Sequence, residues 1–478
     1  RRNMVFPVIG GDGKPTGYEI SNSARFQPND YVSRYDGVGD ESSNAGKIGT
    51  VSLWTKRGDL GRAQGLFVVY EHNGQGYQTI WFNSDDTLQL AYEISGTEYQ
   101  IKTNAKFRDP SAWYHVVAMT DTTQGTDSNR MKIYVNGTEQ SYGSTAYPPQ
   151  NTTLLWGKGS STSYQYRIGN KRGVGSTTYS NYNGHIAEVH LCMGQNYTPS
   201  EFGETNDNGV WIPKEADVSY GTNGGYYEFK QTGTSANASG IGADTSGTGN
   251  HAGVGGLDAT NITEDTPTNN FATFNSLHKA SNVTLSEANC KAAIAGAGQS
   301  RSVTATIAVS KGKWYWETKY TTDVVSCFFG LVSADIAWNI NATDYPSSGV
   351  SDNVGFNDGG TKYVNGTSSS YHSGGAGTVS DGDIVGCAAN LDDDEVVFYV
   401  NGTALNSGTA IDKTFSGDYF FVVQHQSSSG TSNFEVNFGN PTFSISSGNA
   451  DANGYGNFEY APPSGFYAVC TKNLAKYG

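Results

Sequence analysis

The chain has 478 residues, only 16% of them charged, and a formal net charge of −15 at pH 7. This length allows several domains with their own hydrophobic cores. Nucleic acid is a poor partner for an acidic chain with few lysines and arginines, because phosphate neutralisation drives that binding. No apolar run approaches the roughly 18 residues that a membrane span needs.

Residues 1–190 alternate apolar and polar side chains in short runs such as VSLWTK (51–56), AWYHVVAM (112–119) and HIAEVHL (185–191). Short alternating runs with polar separators are typical of antiparallel strands. This part of the chain therefore predicts a β-sandwich, which we expect to span residues 1–215.

The next stretch is dominated by Gly, Ser, Thr, Ala, Asn and Asp, most clearly from residue 231 to 270. Such a composition buries little apolar surface and favours an irregular connection, expected over residues 216–273.

Strand patterning returns in RSVTATIAV (301–309), KGKWYWETKY (311–320) and later runs up to NFEVNFG (433–439). A second sandwich is predicted over residues 274–442, with Trp314 and Trp316 on its core-facing side. The Pro-containing, aromatic segment 443–478 is predicted to be an extended tail that packs on a domain. The overall prediction is an all-β chain of two antiparallel, jelly-roll-type sandwiches.

Five scattered cysteines without a CxxC pair favour buried free thiols over a disulfide framework.

The phrase YVNGT occurs three times, at residues 134–138, 363–367 and 399–403. In two copies a strand enters Asn-Gly and a polar strand leaves, which is the strongest short signal for a type I′ hairpin. Asn136-Gly137 and Asn401-Gly402 are therefore predicted turns, whereas the copy at 363–367 is a weaker hairpin signal. The repetition indicates shared architecture; a glycosylation role would require passage through a secretory pathway.

These motifs resemble those of two domain families. The segment 19–213 resembles laminin-G-like, concanavalin A-type domains through YEISNSARFQPNDYVSR, VSLWTKRGDLG, DPSAWYHVVAMTDTTQ, KIYVNGTEQ, YRIGN and GHIAEVHLCMGQNYTPSEFGE. The segment 274–440 resembles SPRY domains through GKWYWE, CFFGLV, GDIVGCAANLDDDEVVFYVNG and NFEVNFGNPTF. The closing PPSGFYAVCTKNL resembles the tail of bacteriophage and algal-virus structural proteins that join these two domains.

The resemblance implies a component of the virion exterior that contacts other virion proteins and recognises host-surface carbohydrate or protein. It also implies a homo-oligomer, often a trimer. A capsid or tail decoration protein that stiffens neighbouring subunits is the structural alternative.

Catalysis is the third alternative, because concanavalin A-like folds also occur in glycoside hydrolases, which need two carboxylates across the scissile bond. No ExDxxE pattern is present. The nearest acidic run, LDDDEVVF (391–398), reads as a polar turn, with a calcium site at Asp392 and Asp394 as the alternative. No other cofactor is expected.

Metal binding by histidines is also disfavoured. His185 and His190 lie five residues apart, so a regular strand would place them on opposite faces. No HExxH, GxSxG or P-loop motif occurs, and a non-enzymatic protein is predicted.

Ligand binding is therefore the predicted function. Sugar sites combine exposed rings with amide and carboxyl groups, and seven side chains in predicted loops meet this description. The candidates are Trp156, Tyr164, Tyr166, Trp338, Tyr345, Tyr371 and His372. The last four form the preferred contact surface, expected to lie exposed at one end of the second sandwich.

Overall fold

A computed structural model describes residues 17–35, 46–71, 76–156, 164–172, 179–296, 301–322, 327–335, 350–372, 378–427 and 429–478. The described residues divide into a first unit, which ends at Thr268, and a second unit, which begins at Asn269. Both are built from antiparallel sheets, which confirms the predicted all-β class.

The first unit contains twenty strands, several of them only two or three residues long. They are β1 Ser23–Phe26, β2 Tyr31–Tyr35, β3 Ile48–Arg57, β4 Gln64–Glu71, β5 Gly76–Phe82, β6 Thr87–Ile94, β7 Thr97–Lys106, β8 Trp113–Asp121, β9 Met131–Val135, β10 Thr138–Glu139, β11 Tyr142–Ala146, β12 Tyr164–Ile168, β13 Asn170–Arg172, β14 Tyr179–Asn181, β15 Gly184–Met193, β16 Gly203–Thr205, β17 Trp211–Pro213, β18 Gly225–Tyr227, β19 Gly253–Gly255 and β20 Ile262–Thr263. Single 3-10 turns occur at Asp127–Asn129, Pro199–Glu201 and Ala259–Asn261.

Two large sheets form the first sandwich. Sheet 1 has the order β10-β9-β8-β3-β15-β1-β20, with β18 also paired to β15, and sheet 2 has the order β11-β7-β6-β5-β4-β12-β2-β19. Alternate residues of each strand meet in the core between the sheets, as Val51 and Leu53 of β3 meet Ile80 and Phe82 of β5.

The second unit contains the remaining strands and the single α-helix of the described residues. The elements are β21 Phe274–Lys279, β22 Val283–Ser286, β23 Lys291–Ala295, β24 Arg301–Val309, β25 Lys313–Thr322, β26 Cys327–Ser333, β27 Asn353–Asn357, β28 Thr361–Val364, β29 Thr367–Ser370, β30 Ile384–Asn390, β31 Glu395–Val400, β32 Thr403–Ala404, β33 Ile411–Asp412, β34 Tyr419–His425, β35 Thr431–Asn437, β36 Tyr467–Ala468 and α1 Thr471–Tyr477, with a 3-10 turn at Leu405–Gly408.

Sheets 3 and 4 form the second sandwich. Sheet 3 has the order β21-β24-β34-β26-β27-β28-β29, and sheet 4 has the order β22-β23-β35-β25-β30-β31-β32, with β33 beside β31 and β36 beside β25. Trp314 and Trp316 lie in the core, as predicted, and the Trp316 ring is 4.0 Å from that of Phe421. All five cysteines are buried free thiols, which confirms that prediction.

The Gly-rich segment departs from the predicted irregular connection over 216–273. It supplies β18 and β20 to sheet 1 and β19 to sheet 2, and Phe229, Ile241 and Leu257 enter the core of the first unit. The first unit therefore extends past residue 215 to residue 268. The prediction from composition was wrong because short Gly-containing strands pair through their backbones and need only a few buried apolar side chains.

The C-terminal segment packs on sheet 4, as expected of the tail, but it is not extended throughout. β36 runs parallel to β25, and Phe458, Ala468 and Cys470 join Tyr315 in a cluster on the outer face of sheet 4. The last residues then form α1.

All three YVNGT phrases form hairpins with positive φ at both turn residues, which confirms the two predicted turns. The angles are 48° and 76° at Asn136-Gly137, and 47° and 76° at Asn401-Gly402. The copy predicted to be weaker joins β28 to β29 through the same turn.

The turn asparagines also hold the adjacent strand. Asn136 Oδ1 accepts a hydrogen bond from the backbone N–H of His115 (2.8 Å), and Asn401 Oδ1 accepts one from Ile384 N–H (3.0 Å). An aromatic ring covers each turn, because a Cβ at Gly137 or Gly402 would lie 2.4 Å from Trp211 or Tyr460 respectively. The shared phrase thus serves the same structural purpose in both units.

Candidate functional site

The ring candidates of the first unit belong to its core rather than to an exposed loop. Trp156 is fully buried, with its ring 6.4 Å from Phe67, and Tyr166 is 2% exposed. Tyr164 is half-buried and packs against the same core. The expected exposure was wrong because Tyr164 and Tyr166 occupy alternate positions of β12, on the side that faces sheet 1.

The structure describes two of the four candidates of the second unit, Tyr371 and His372. Tyr371 is 5% exposed, packs on Phe356 at 6.3 Å and donates a hydrogen bond to Thr409 O, so its expected exposure was also wrong. The half-buried His372 accepts a hydrogen bond from Asn406 N–H at its Nδ1 atom. Trp338 and Tyr345 lie outside the described residues.

The acidic run lies at the turn between β30 and β31. Asp392 Oδ1 accepts a hydrogen bond from Gly312 N–H (2.8 Å), and Asp394 Oδ1 accepts one from Phe415 N–H (2.9 Å). These carboxylates hold backbone groups of neighbouring segments. Within the described ranges, no group of three His, Cys, Asp or Glu side chains is placed to bind a metal ion.

The two histidines of β15 share one face of sheet 1, which corrects the prediction of opposite faces. His185 pairs with Lys56 and His190 pairs with Ser52, and the register shifts between Ala187 and His190. The reason is a β-bulge at Glu188, whose φ of +50° reverses the alternation.

The bulge buries the Glu188 carboxylate under polar rings. Oε2 accepts hydrogen bonds from Tyr18 (2.9 Å) and Tyr226 (2.5 Å), and His190 Nε2 lies 3.4 Å away. Burial opposes the charge, but these donors outweigh it and hold the Glu188 pKa below its usual range. The Tyr226 ring stacks on His190 at 4.3 Å. These contacts to Oε2 fix the carboxylate within the fold and indicate a structural role for Glu188.

The outer face of sheet 2 offers a different combination of groups. Its strands alternate, so residues that point away from the core form rows across the sheet. One row runs through Tyr35, Gln165, Tyr70, Tyr77, Glu93 and Glu98, the next through Ser33, Arg167, Val68, Thr79, Ala91 and Gln100, and the third through Trp81, Gln89 and Lys102. Val68, Tyr70, Tyr77, Trp81 and Ala91 form an apolar cluster separate from the core.

Arg167 is held between rings of this face. Its guanidinium carbon lies 4.2 Å from the Tyr31 ring centroid and 5.7 Å from that of Tyr70. Its Nε donates to Gln165 Oε1 (3.1 Å), which also accepts the Tyr70 hydroxyl proton. A half-exposed guanidinium fixed in this way is preorganised for a planar anion.

A second cation lies on the same face. Lys171 Nζ is 3.4 Å from the Trp81 ring centroid, and burial lowers the pKa of Lys171 to about 8. Tyr35, at the other end of β2 from Tyr31, is 54% exposed.

The Gly-rich segment makes room for these rings. β19 is the edge strand beside β2, and Gly255 pairs with Tyr31. A Cβ at Gly255 would lie 2.4 Å from Tyr31 Cζ, so only glycine leaves space for this ring. Sequence reasoning missed Tyr31 and Tyr35, although the alternation of YVSRY places both on one face.

The comparisons with known proteins agree with the two units. Residues 28–193 match the family model Laminin_G_3, of the concanavalin A-like lectin/glucanases superfamily, and residues 313–441 match the SPRY domain model. The chain thus contains a laminin G-type domain and a SPRY domain, two kinds of domain that often act as binding modules. No curated protein matches the chain.

Solved structures resemble the chain at low identity. Domains LG4-5 of the mouse laminin alpha1 chain are 12% identical, with 98% of this chain and 91% of that one covered and a TM-score of 0.30. The SPRY domain of human HERC1 is 16% identical over 34% of this chain and 96% of its own, with a TM-score of 0.27. A heptameric SAP-like pentraxin from Limulus polyphemus is 17% identical over 38% and 80%, with a TM-score of 0.27.

Proposed function

We propose that the chain is a non-enzymatic protein of a virion surface that binds an acidic glycan of the host through the outer face of sheet 2. The observation that carries the binding site is Arg167 fixed between Tyr31 and Tyr70. The virion setting is supported only by the sequence resemblance of the two domains and of the C-terminal segment.

Charge determines the class of ligand. Arg167 and Lys171 each lie over aromatic rings, where their positive charges gain cation–π attraction but lose hydration. Both cations attract a carboxylate or sulfate group, which a guanidinium binds through two parallel hydrogen bonds.

The neighbouring groups suit a sugar. Tyr35 offers an exposed ring for stacking on sugar C–H groups, and the amide of Gln100 lies at the far end of the Arg167 row.

No helix of the described residues is long and apolar enough to cross a membrane.

The test measures binding of the purified full chain to alginate, an acidic polysaccharide, and to neutral dextran. We expect alginate to bind more tightly and the binding to weaken with salt. Arg167→Gln should reduce the affinity about tenfold, the loss of one charge-assisted hydrogen bond. Lys102→Gln is the matched control, because Lys102 lies on the same face but pairs with Asp85 at 2.8 Å.

Two results would overturn the proposal. One is equal binding of dextran and alginate, and the other is unchanged alginate binding by a folded Arg167→Gln protein. Release of reducing sugar from alginate by the wild-type protein would establish an enzyme instead.

A further inference from the structure

A lysine and an aspartate lie in direct contact in the interior of the first unit. Lys56 Nζ is 2.8 Å from Asp265 Oδ2, and the two side chains are 2% and 0% exposed. Lys56 belongs to the central strand β3 of sheet 1, and Asp265 follows the edge strand β20 by two residues. Charged side chains are rarely buried this completely, because the loss of hydration opposes both charges.

The two oxygens of Asp265 have different neighbours. Trp113 Nε1–H donates to Oδ1 at 3.2 Å, whereas His185 Nε2 lies 3.9 Å from Oδ2, the oxygen that contacts Lys56. The carboxyl group is thus oriented, with a fixed donor on one side and an imidazole on the other. Asp265 is further anchored through its backbone, whose C=O accepts a hydrogen bond from Ser23 Oγ (2.6 Å).

His185 is buried beside this pair, with its ring 6.1 Å from that of Trp113. It lies directly opposite Lys56 in the β3–β15 pair, is 0% exposed, and neither of its ring nitrogens has a hydrogen-bond partner within the described residues. Burial lowers the pKa of His185 to about 3, so the ring is neutral and one nitrogen carries a lone pair.

We propose that Lys56 and Asp265 form an intramolecular isopeptide bond. The reaction needs Lys56 as a neutral amine and Asp265 as a neutral carboxylic acid, which one proton transfer within the 2.8 Å contact supplies. The amine then lies 2.8 Å from Oδ2 of the carboxyl group, and this fixed contact replaces the encounter of two reactants.

The bond-forming step is a condensation. The Lys56 Nζ lone pair attacks Asp265 Cγ, and the C=O electron pair moves onto Oδ1, where Trp113 N–H stabilises the developing negative charge. His185 accepts a proton from the attacking nitrogen and returns it to Oδ2. The Cγ–Oδ2 bond then breaks, Oδ2 leaves as water, and the C=O bond re-forms in the new amide. The reaction requires no oxidant, metal or second substrate.

The experiment is mass spectrometry of the purified full chain after complete denaturation. We expect the wild-type mass to be one water molecule below that of its sequence, and protease digestion to yield a single species in which the peptides of Lys56 and Asp265 are joined. Lys56→Arg keeps the positive charge but cannot form the amide, so its mass should equal that of its sequence. The control Lys102→Arg, which alters an exposed ion pair, should keep the mass loss.

The decisive measurement needs no variant. Folded wild-type protein whose Lys56 and Asp265 peptides separate on digestion overturns the proposal and leaves an ordinary buried ion pair. A His185→Phe chain that folds should accumulate the joined species more slowly after its synthesis, measured by pulse-chase labelling. Formation at the wild-type rate in that variant overturns the role assigned to His185.

Discussion

The backbone N–H of Tyr460 donates a hydrogen bond to Glu317 Oε1 across 2.7 Å, and this contact joins the C-terminal segment to β25. Oε2 accepts from Glu459 N–H (2.9 Å) and from the Asn437 side chain (3.2 Å), and Tyr315 donates to Oε1. Burial nevertheless dominates and raises the Glu317 pKa to about 7, although the hydrogen bonds act in the opposite direction.

The stability of the second unit should therefore fall as the pH rises from about 4.5 to about 7. The folded state binds the Glu317 proton more tightly than the unfolded state, so the contribution is complete below the unfolded pKa and is lost through the folded one. It amounts to about 3 kcal/mol. Urea unfolding of the full chain at several pH values should show this slope, and Glu317→Gln should remove it. The exposed Glu395→Gln is the control, and a slope equal in wild type and Glu317→Gln would contradict the prediction.

Replacement of a hairpin glycine should be unusually costly where a ring covers the turn. Gly402→Ala places a Cβ against Tyr460 and also strains a φ of +76°, so we expect a loss of about 2 kcal/mol or more. Gly209 has nearly the same φ, +77°, but open space around its Cβ position, so Gly209→Ala should cost only about 1 kcal/mol. If both variants lose the same unfolding free energy in thermal or urea unfolding, packing of the Tyr460 ring contributes nothing to the cost.

The affinity for alginate should fall between pH 7 and pH 9. The Lys171 pKa is lowered to about 8, so Lys171 loses its positive charge over this range while Arg167 keeps its own. Lys171→Arg should bind with much less pH dependence. A steep fall that persists in Lys171→Arg would assign the effect to another group. This prediction rests on the proposed binding face.

Removal of the Glu188 carboxylate should destabilise the first unit by about 3 kcal/mol, because Tyr18, Tyr226 and His190 lose a buried acceptor. Glu188 has a φ of +50°, which glycine adopts without strain. Glu188→Gly should therefore be less destabilising than Glu188→Ala by about 1 kcal/mol, the reverse of the usual order of these residues. Chemical unfolding of both variants measures this difference in unfolding free energy.

The boundary of the first unit can be tested by truncation. A chain that ends at residue 268 keeps β18, β19 and β20, and should unfold cooperatively. A chain that ends at residue 215 lacks one edge strand of each sheet and core residues such as Phe229 and Leu257, and should not fold. Cooperative unfolding of both chains at the same urea concentration would show that the first unit ends near residue 215.

The sequence predicted correctly the features that depend on interactions between residues close together in the chain. The all-β class and the hairpins followed from alternation and Asn-Gly, because both act within a few residues. Tyr164 and Tyr166 were assigned to a loop although they lie in β12. His190 was assigned to the wrong face, because a bulge shifts the alternation and only the register with a neighbouring strand fixes it.

The proposed binding face could not be predicted from the sequence, for a related reason. Tyr31, Tyr70 and Arg167 come together through pairing of β2, β12 and β4, which are far apart in sequence. The role of Gly255 depends on the ring opposite it, and composition alone carries no such information.

The pairing of β1 with β20 also sets the order of events during synthesis. Ser23 and Thr263 hydrogen-bond to each other although 240 residues separate them. One edge of β1 pairs with β15, but its other edge stays unpaired until the Gly-rich segment has left the ribosome. Closure of so long a loop carries an entropic cost before any contact rewards it, so this unit should be a slow folder whose edge at β1 stays open to wrong partners in the meantime.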